Sequence, residues 1–228
     1  MKKLILSFFA FGIIFSGISQ AVSDRTTVPI AVNLNQVLRL NVFNGGNLEF
    51  TFNTIAQYKS GINGGAVAAA AALGAVGAQG FYQTQFTVAA SSDWELHMGA
   101  EDATLIGTDA GGTMTLDNIG YSITADGLHK FLAGGAATDV VKTSVGNQGV
   151  DIVPLTQFPG AAALIEKETV GAGVGALSNA GDVADNAFTI YWRVGTTEGT
   201  MNTVALIEQN LAPDRYITNV LFDLQIEQ

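Results

Sequence analysis

The sequence predicts an all-β protein, an antiparallel β-sandwich of the immunoglobulin-like or jelly-roll kind, on three observations. Apolar and polar residues alternate with period two in at least seven segments. Gly, Asn or Ser turn signals separate many of these segments. Helical periodicity is almost absent, which leaves sheet-on-sheet packing as the way to bury the apolar faces.

The segments run along the chain as follows. "TTVPIAVNLN" (26–35) alternates through Val28, Ile30, Val32 and Leu34, and carries Pro29. "QVLRLNVF" (36–43) and "NLEFTFN" (47–53) flank "NGG", which reads as a hairpin. "YQTQFTVAA" (82–90) and "DWELHMG" (93–99) are joined by a Ser-Ser turn, and their apolar faces are Phe86 and Val88, then Trp94, Leu96 and Met98. "MTLDNIGYSIT" (114–124) continues through Ile119, Tyr121 and Ile123. "AFTIYWRV" (187–194) sets Phe188, Ile190, Trp192 and Val194 on one face. "RYITNVLFDLQIEQ" closes the chain with Val220, Phe222, Leu224 and Ile226 in phase. Trp94 and Trp192 alternate with aliphatic neighbours and are therefore expected in the core rather than on a sugar-binding platform.

Three Gly/Ala-rich stretches interrupt the strands, at 61–80, 132–139 and 158–182. They are expected to be surface loops, with two turns of helix conceivable at Ala66–Leu73 because Ala has the best helix propensity. Their shortage of charge and wealth of Ala, Val and Leu predict that they pack against something.

Residues 1–21 have the layout of a secretory signal. Lys2 and Lys3 precede an apolar run from Leu4 to Phe15, and Ser19-Gln20-Ala21 supplies a small-x-small cleavage pattern. The run is short for a membrane span of ~20 residues. What remains, 22–228, is expected to be one exported domain, secreted or displayed at the cell surface. There is no cysteine, which excludes disulfides, thiolate metal sites and a cysteine-linked lipid anchor. The full chain carries a net charge of −10, and loss of Lys2 and Lys3 takes it to −12. Such an acidic surface argues against nucleic acid, whose phosphates need a basic footprint, and against anionic membrane surfaces.

The search for chemistry points away from an enzyme and assigns no catalytic, cofactor or metal residue. Two histidines are present, and His97 falls on the strand face opposite Trp94 and Leu96, while His129 lies elsewhere. No G-x-S-x-G elbow or phosphate loop occurs, and "GTTEGT" and "GNQGVD" read as Gly turns. Glu101-Asp102, Asp182…Asp185-Asn186 and Thr108-Asp109-Ala110-Gly111 are the acid groups worth weighing, either as paired carboxylates or as oxygen ligands for Ca²⁺. None has a calcium-loop ladder, and turn formation accounts for them more simply. Tyr58, Phe81 and Tyr82 border the first Ala-rich stretch and are the candidates for lining a glycan-binding groove.

The stretch "VPIAVNLNQVLRLNVFNGGNLEFTFNTIAQYKSGI", with "FTVAASSDWELHM" and "RYITNVLFDLQIEQ", resembles exported surface proteins of Bacteroidota-type bacteria. The resemblance implies a secreted β-sandwich of pilin-like or fibre-subunit type without enzyme activity. Trp94-Glu95-Leu96 also matches the W-x-L cell-wall-binding signature, a shorter and weaker pattern. An N-terminal alternating strand ahead of a β-sandwich is the layout of subunits that assemble by strand addition. Residues 22–35, with Val28, Pro29, Ile30, Val32 and Leu34, are accordingly the candidate assembly strand. Pro29 has no N–H for a ladder, which places the strand at a sheet edge. The functional expectation is a structural subunit of an extracellular filament or surface layer that self-associates through this strand and the apolar loops. The alternative is a monomeric surface module that binds glycans or another ligand.

Overall fold

The computed structural model describes residues 30–63, 82–131, 139–160, 162–169 and 178–227. The expected signal at 1–21, Val28 and Pro29, the Ala66–Leu73 helix, Phe81 and most of the Gly/Ala stretches lie outside them. The chain forms two units, residues 1–34 and 35–228, and the second is an all-β fold built as an antiparallel sandwich.

Among the described residues thirteen strands occur, with one short α-helix. Sheet A joins β1 (Leu38–Asn44), β3 (Gln83–Ala90), β11 (Ala187–Val194), β7 (Ile119–Ala125) and β9 (Val153–Pro154) in that order. The short β2 (Ile62–Asn63) pairs with the end of β11 that β3 leaves free. Sheet B joins β13 (Val220–Ile226), β4 (Trp94–Ala100), β10 (Ile165–Lys167) and β8 (Val141–Thr143). A small third sheet links β12 (Tyr216–Ile217), β5 (Thr104–Gly107) and β6 (Thr113–Thr115).

The period-two pattern puts one face of each long strand inside. On β3, Thr84, Phe86, Val88 and Ala90 are buried, and their neighbours are half-exposed. Phe86 and Phe188 lie side by side on adjacent strands, 5.4 Å between ring centroids. Each also meets sheet B, Phe188 edge-on to Trp94 at 6.0 Å and Phe86 tilted on Phe222 at 5.8 Å. These contacts locate the core between the sheets, and both tryptophans are in it, as their phase predicts. The expected strand 114–124 is real at both ends, but a 3-10 turn over Leu116–Asn118 divides it into β6 and β7.

Two expectations are corrected. Residues 47–53 form no strand, and the NGG hairpin does not close: among the described residues β1 pairs with β3 alone. Gly45 takes a φ of +69° and rests against the backbone of Gln83, while Thr84 Oγ1 donates to its carbonyl at 2.9 Å. The chain is thereby turned across the start of β3. Leu48, Phe50 and Phe52 then pack on the core, with Phe50 stacked on Tyr82 at 4.1 Å. Burying these side chains outweighs a ladder along β1. The helix α1 (Ile55–Ser60) follows, started by Thr54, whose side chain accepts from Gln57 N while Gln57 Oε1 accepts from Thr54 N.

The third Gly/Ala stretch is also more than loop. Ala163, Leu164 and Ile165 are buried, and β10 sits inside sheet B between β4 and β8. Where β10 ends, Asn179 continues its pairing. Its amide accepts from Trp94 N at 3.0 Å and donates to Trp94 O at 2.7 Å, and its carbonyl accepts from Trp94 Nε1 at 2.8 Å. A fully buried side chain thus stands in for a strand's peptide group. Asn179→Ala is expected to destabilise the fold by about 1–3 kcal/mol for each of the two orphaned backbone groups, measured by denaturant unfolding.

Beside it, Asp93 accepts from Lys167 Nζ, Ser178 Oγ and Asn179 N. Burial pushes its carboxyl up, but these hydrogen bonds and the Lys167 charge outweigh burial and hold it below the ordinary 3.8. A depressed carboxylate contributes stability above the unfolded value, and that stability is lost as pH falls through the folded one. Asp93→Asn should therefore flatten the fall in melting temperature below pH ~4 that the wild-type chain shows.

Candidate assembly surface

The candidate assembly residues that are described, Ile30, Val32 and Leu34, are 86%, 74% and 92% exposed, and residues 30–37 have no regular secondary structure. Three alternating aliphatic side chains in water are costly, at about 1.5–3 kcal/mol each relative to burial.

The chain is then pinned beside the Ser91-Ser92 turn that joins β3 to β4. Val37 N donates to Ser91 Oγ at 2.8 Å, Ser91 N donates to Val37 O at 2.9 Å, and Gln36 Nε2 donates to Ser92 Oγ at 3.2 Å. The Val37–Ser91 pair fixes the parity of the ladder that follows. Arg39–Ala89 and Asn41–Thr87 are the hydrogen-bonded pairs in the same register. The backbone groups of Leu38, Leu40 and Val42 therefore point to the other edge of β1, where no strand pairs among the described residues. With residues 47–53 turned away, that edge is unpaired among the described residues.

β13 ends sheet B on the same side of the sandwich and, among the described residues, also pairs on one edge only. Leu38 and Leu40 of β1, with Val220, Phe222 and Leu224 of β13, pack on the core yet stay half-buried, and Val42 is exposed. The seam between the edge strands is apolar and incompletely covered. It is also free of negative charge on the β1 side: from Thr26 to Leu48 there is no Asp or Glu, and Arg39 is the single charge. In a chain this acidic, copies repel least where carboxylates are missing.

The groups weighed for chemistry are occupied within the fold. Asp182 Oδ1 accepts from the N–H groups of Ala184 and Asp185, and Asp185 Oδ2 accepts from Asp182 N, a turn closed on itself. Glu101 Oε2 accepts from Asn219 Nδ2 at 2.7 Å. Asp102 lies in the same short turn between β4 and β5. His129 Nδ1 meets Asn186 Oδ1 at 2.9 Å, and His97 Nε2 lies 3.6 Å from Glu95 Oε1. Tyr82 is taken up by Phe50, and Tyr58 tilts against Phe52 at 5.4 Å. Among the described residues no three His, Asp or Glu side chains form a group that could hold a metal ion.

Two polar features escape the sequence reading. Asp214 organises the Thr108–Gly111 loop by accepting from Ala110 N at 2.9 Å, Asp109 N at 3.0 Å and Arg215 N at 2.7 Å, and these N–H groups hold its carboxyl below the ordinary value. On the outer face of sheet A, Arg193 is fully buried and donates from Nη1 to Glu198 Oε2 at 2.6 Å. Arg193 Nε and Nη2 and Glu198 Oε1 have no hydrogen-bond partner among the described residues. The signal for this pair is an arginine inside the apolar run "FTIYWRV", five residues before the glutamate of "GTTEGT".

No helix of the described residues is long and apolar enough to cross a membrane. No protein-family model and no curated protein matches the sequence, so the functional reading stands on this geometry.

Proposed function

We propose that this chain is a structural subunit of an extracellular filament or surface layer, and that it self-associates through its N-terminal strand. The observation that carries the reading is the segment Ile30–Leu34: its aliphatic residues alternate as a half-buried strand does, and they are exposed. A segment of that kind becomes ordered when a partner supplies both an apolar seam and ladder hydrogen bonds. The β1 edge that is unpaired among the described residues, with the half-covered seam beside it, is a surface of that type on the same chain. Export is the expectation set by residues 1–21 and puts the assembly outside the cell.

Size-exclusion chromatography with light scattering and negative-stain electron microscopy of the chain from residue 22 onward test the proposal. Oligomers or filaments are the expected result. A strictly monomeric species at high micromolar concentration, with residues 22–35 protected from proteolysis in that monomer, would overturn it.

A further inference from the structure

The helix α1 turns its apolar side outward. Ile55 and Tyr58 stand three residues apart, which puts them on one side of the helix. Ile55 is 63% exposed, Tyr58 is exposed as well, and no residue of α1 is buried. The 3-10 turn Leu206–Glu208 behaves alike: Leu206 is its buried residue, while Val204 before it and Ile207 within it are exposed.

These two elements share one surface. They pack together, and both are anchored on Gly195. Gly61, which ends α1, lies so close that a Cβ on it would come within 2.4 Å of the Gly195 carbonyl carbon. A Cβ on Gly195 would in turn come within 2.6 Å of Leu206 Cδ1. The turn is held firmly, since Asn202 Oδ1 accepts from Val204 N at 2.9 Å. Gln209 Nε2 donates to Val204 O and to Asn118 Oδ1, each at 2.7 Å. On α1 the Phe52 ring backs Tyr58, 5.4 Å between centroids. Four exposed apolar side chains on a pre-formed surface can be covered by a partner at little ordering cost.

Charge decides which partner fits. Between Phe50 and Ser92 the single charged residue is Lys59, and between Gly199 and Pro213 it is Glu208. Both are exposed, and neither has an ion-pair partner among the described residues. The patch is therefore neutral, with one cation on α1 and one anion on the turn, in a chain of net charge −10. A partner carrying one sign of charge meets one favourable and one unfavourable group. A second copy, rotated about a two-fold axis that passes between the two elements, meets both favourably. Each α1 then lies over the other copy's 3-10 turn, and Lys59 faces Glu208 twice.

We infer that this face, built of Ile55, Tyr58, Lys59, Val204, Ile207 and Glu208, is a second self-contact, in which two copies meet isologously about such an axis. Six residues a side fall well below the ~20–30 of a standard interface, so free chains stay apart. On the self-assembly reading, on which this contact rests, copies already joined by their N-terminal strands are held at an effective concentration of about millimolar. That suffices to close a weak neutral contact.

Zero-length coupling tests the contact in the native chain, because a carbodiimide joins a lysine amine to a carboxylate only where the two touch. The assembled chain from residue 22 onward is treated, and the covalent dimer band is digested for mass spectrometry. A linked Lys59–Glu208 peptide is the expected result. Lys59→Arg keeps the charge without the amine, so the peptide should vanish while assembly persists. Lys59→Glu and Glu208→Lys should each raise the concentration needed for assembly about tenfold, since each turns two favourable pairs per contact repulsive. Combined in one chain, the two reversals should restore it. Bulk repulsion alone would instead make Glu208→Lys, which lowers the net negative charge, assemble more readily; that result would overturn the pairing. Oligomers that lack the Lys59–Glu208 link and ignore the reversals would overturn this contact and leave the N-terminal strand reading standing. So would a linked peptide found in the monomer band alone. A wild-type chain that stays monomeric would overturn the self-assembly reading and this contact with it.

Discussion

Arg193→Met is expected to destabilise the protein by about 3–5 kcal/mol, because it strands a buried glutamate. β11 is covered on both faces: Phe188, Ile190, Trp192 and Val194 meet the core, and Thr189 and Arg193 are buried on the outer side. The loop after β11 drops Glu198 onto Arg193, through left-handed conformations at Gly195, Thr197 and Gly199. Met201 fills the space above Gly120, which lies opposite Arg193 in the register. Removing the guanidinium leaves a buried carboxylate without the hydrogen bond that Arg193 gives it. Replacing both partners with apolar residues of similar volume, Arg193→Met with Glu198→Leu, should recover most or all of the loss. Denaturant unfolding of the two single variants and the double variant measures this as a cycle. A single variant as stable as wild type would mean that Glu198 is not buried.

Ile30→Asp, Val32→Asp and Leu34→Asp together are expected to abolish self-association and leave the fold intact. All three positions are exposed, and surface substitutions of this kind change stability by about 0.5 kcal/mol or less. In an assembled pair the same side chains would be buried against a partner's apolar surface, where three carboxylates per arm cannot be desolvated at acceptable cost. Light scattering should report monomer, with a melting temperature that matches the dissociated wild-type chain. Loss of the fold in this variant would show that the arm belongs to its own subunit's core.

How much of this was legible in the sequence depends on which forces shape each segment. β3, β4, β11 and β13 were legible because each has one face in the core, so burial imprints a period of two on the residues themselves. Residues 47–53 carry the same imprint and form no strand, because alternation records a buried face and not a hydrogen-bonded neighbour. Their partner is Tyr82 and the core margin, a tertiary choice that NGG does not reveal. β10 was hidden for the opposite reason. A strand of three residues with only Ile165 buried leaves no room for a period, and with Ala163 and Leu164 before it the segment looks like the rest of a Gly/Ala stretch. The helix at Ile55–Ser60 did have a local signal, the T-x-x-Q of its capping box, which six residues of helix make easy to pass over.

The proposed assembly surface was half legible. Alternation and Pro29 mark residues 28–34 as an edge strand in the sequence alone. What would receive them was not, since β1 is left unpaired on one edge among the described residues only because the expected hairpin fails, and the parity of β1 is set by the Val37–Ser91 contact 54 residues apart. The buried Arg193–Glu198 pair shows a similar limit: both residues are visible in sequence, but the loop that joins them is a product of backbone conformation.

The central claim, that the N-terminal strand serves assembly and not its own subunit's core, is tested most directly by deleting residues 22–35 from the exported chain. Circular dichroism and thermal unfolding should match the dissociated full-length protein, while light scattering shows that oligomers are lost. A deletion variant that fails to fold, or one that folds and assembles as before, would contradict the account.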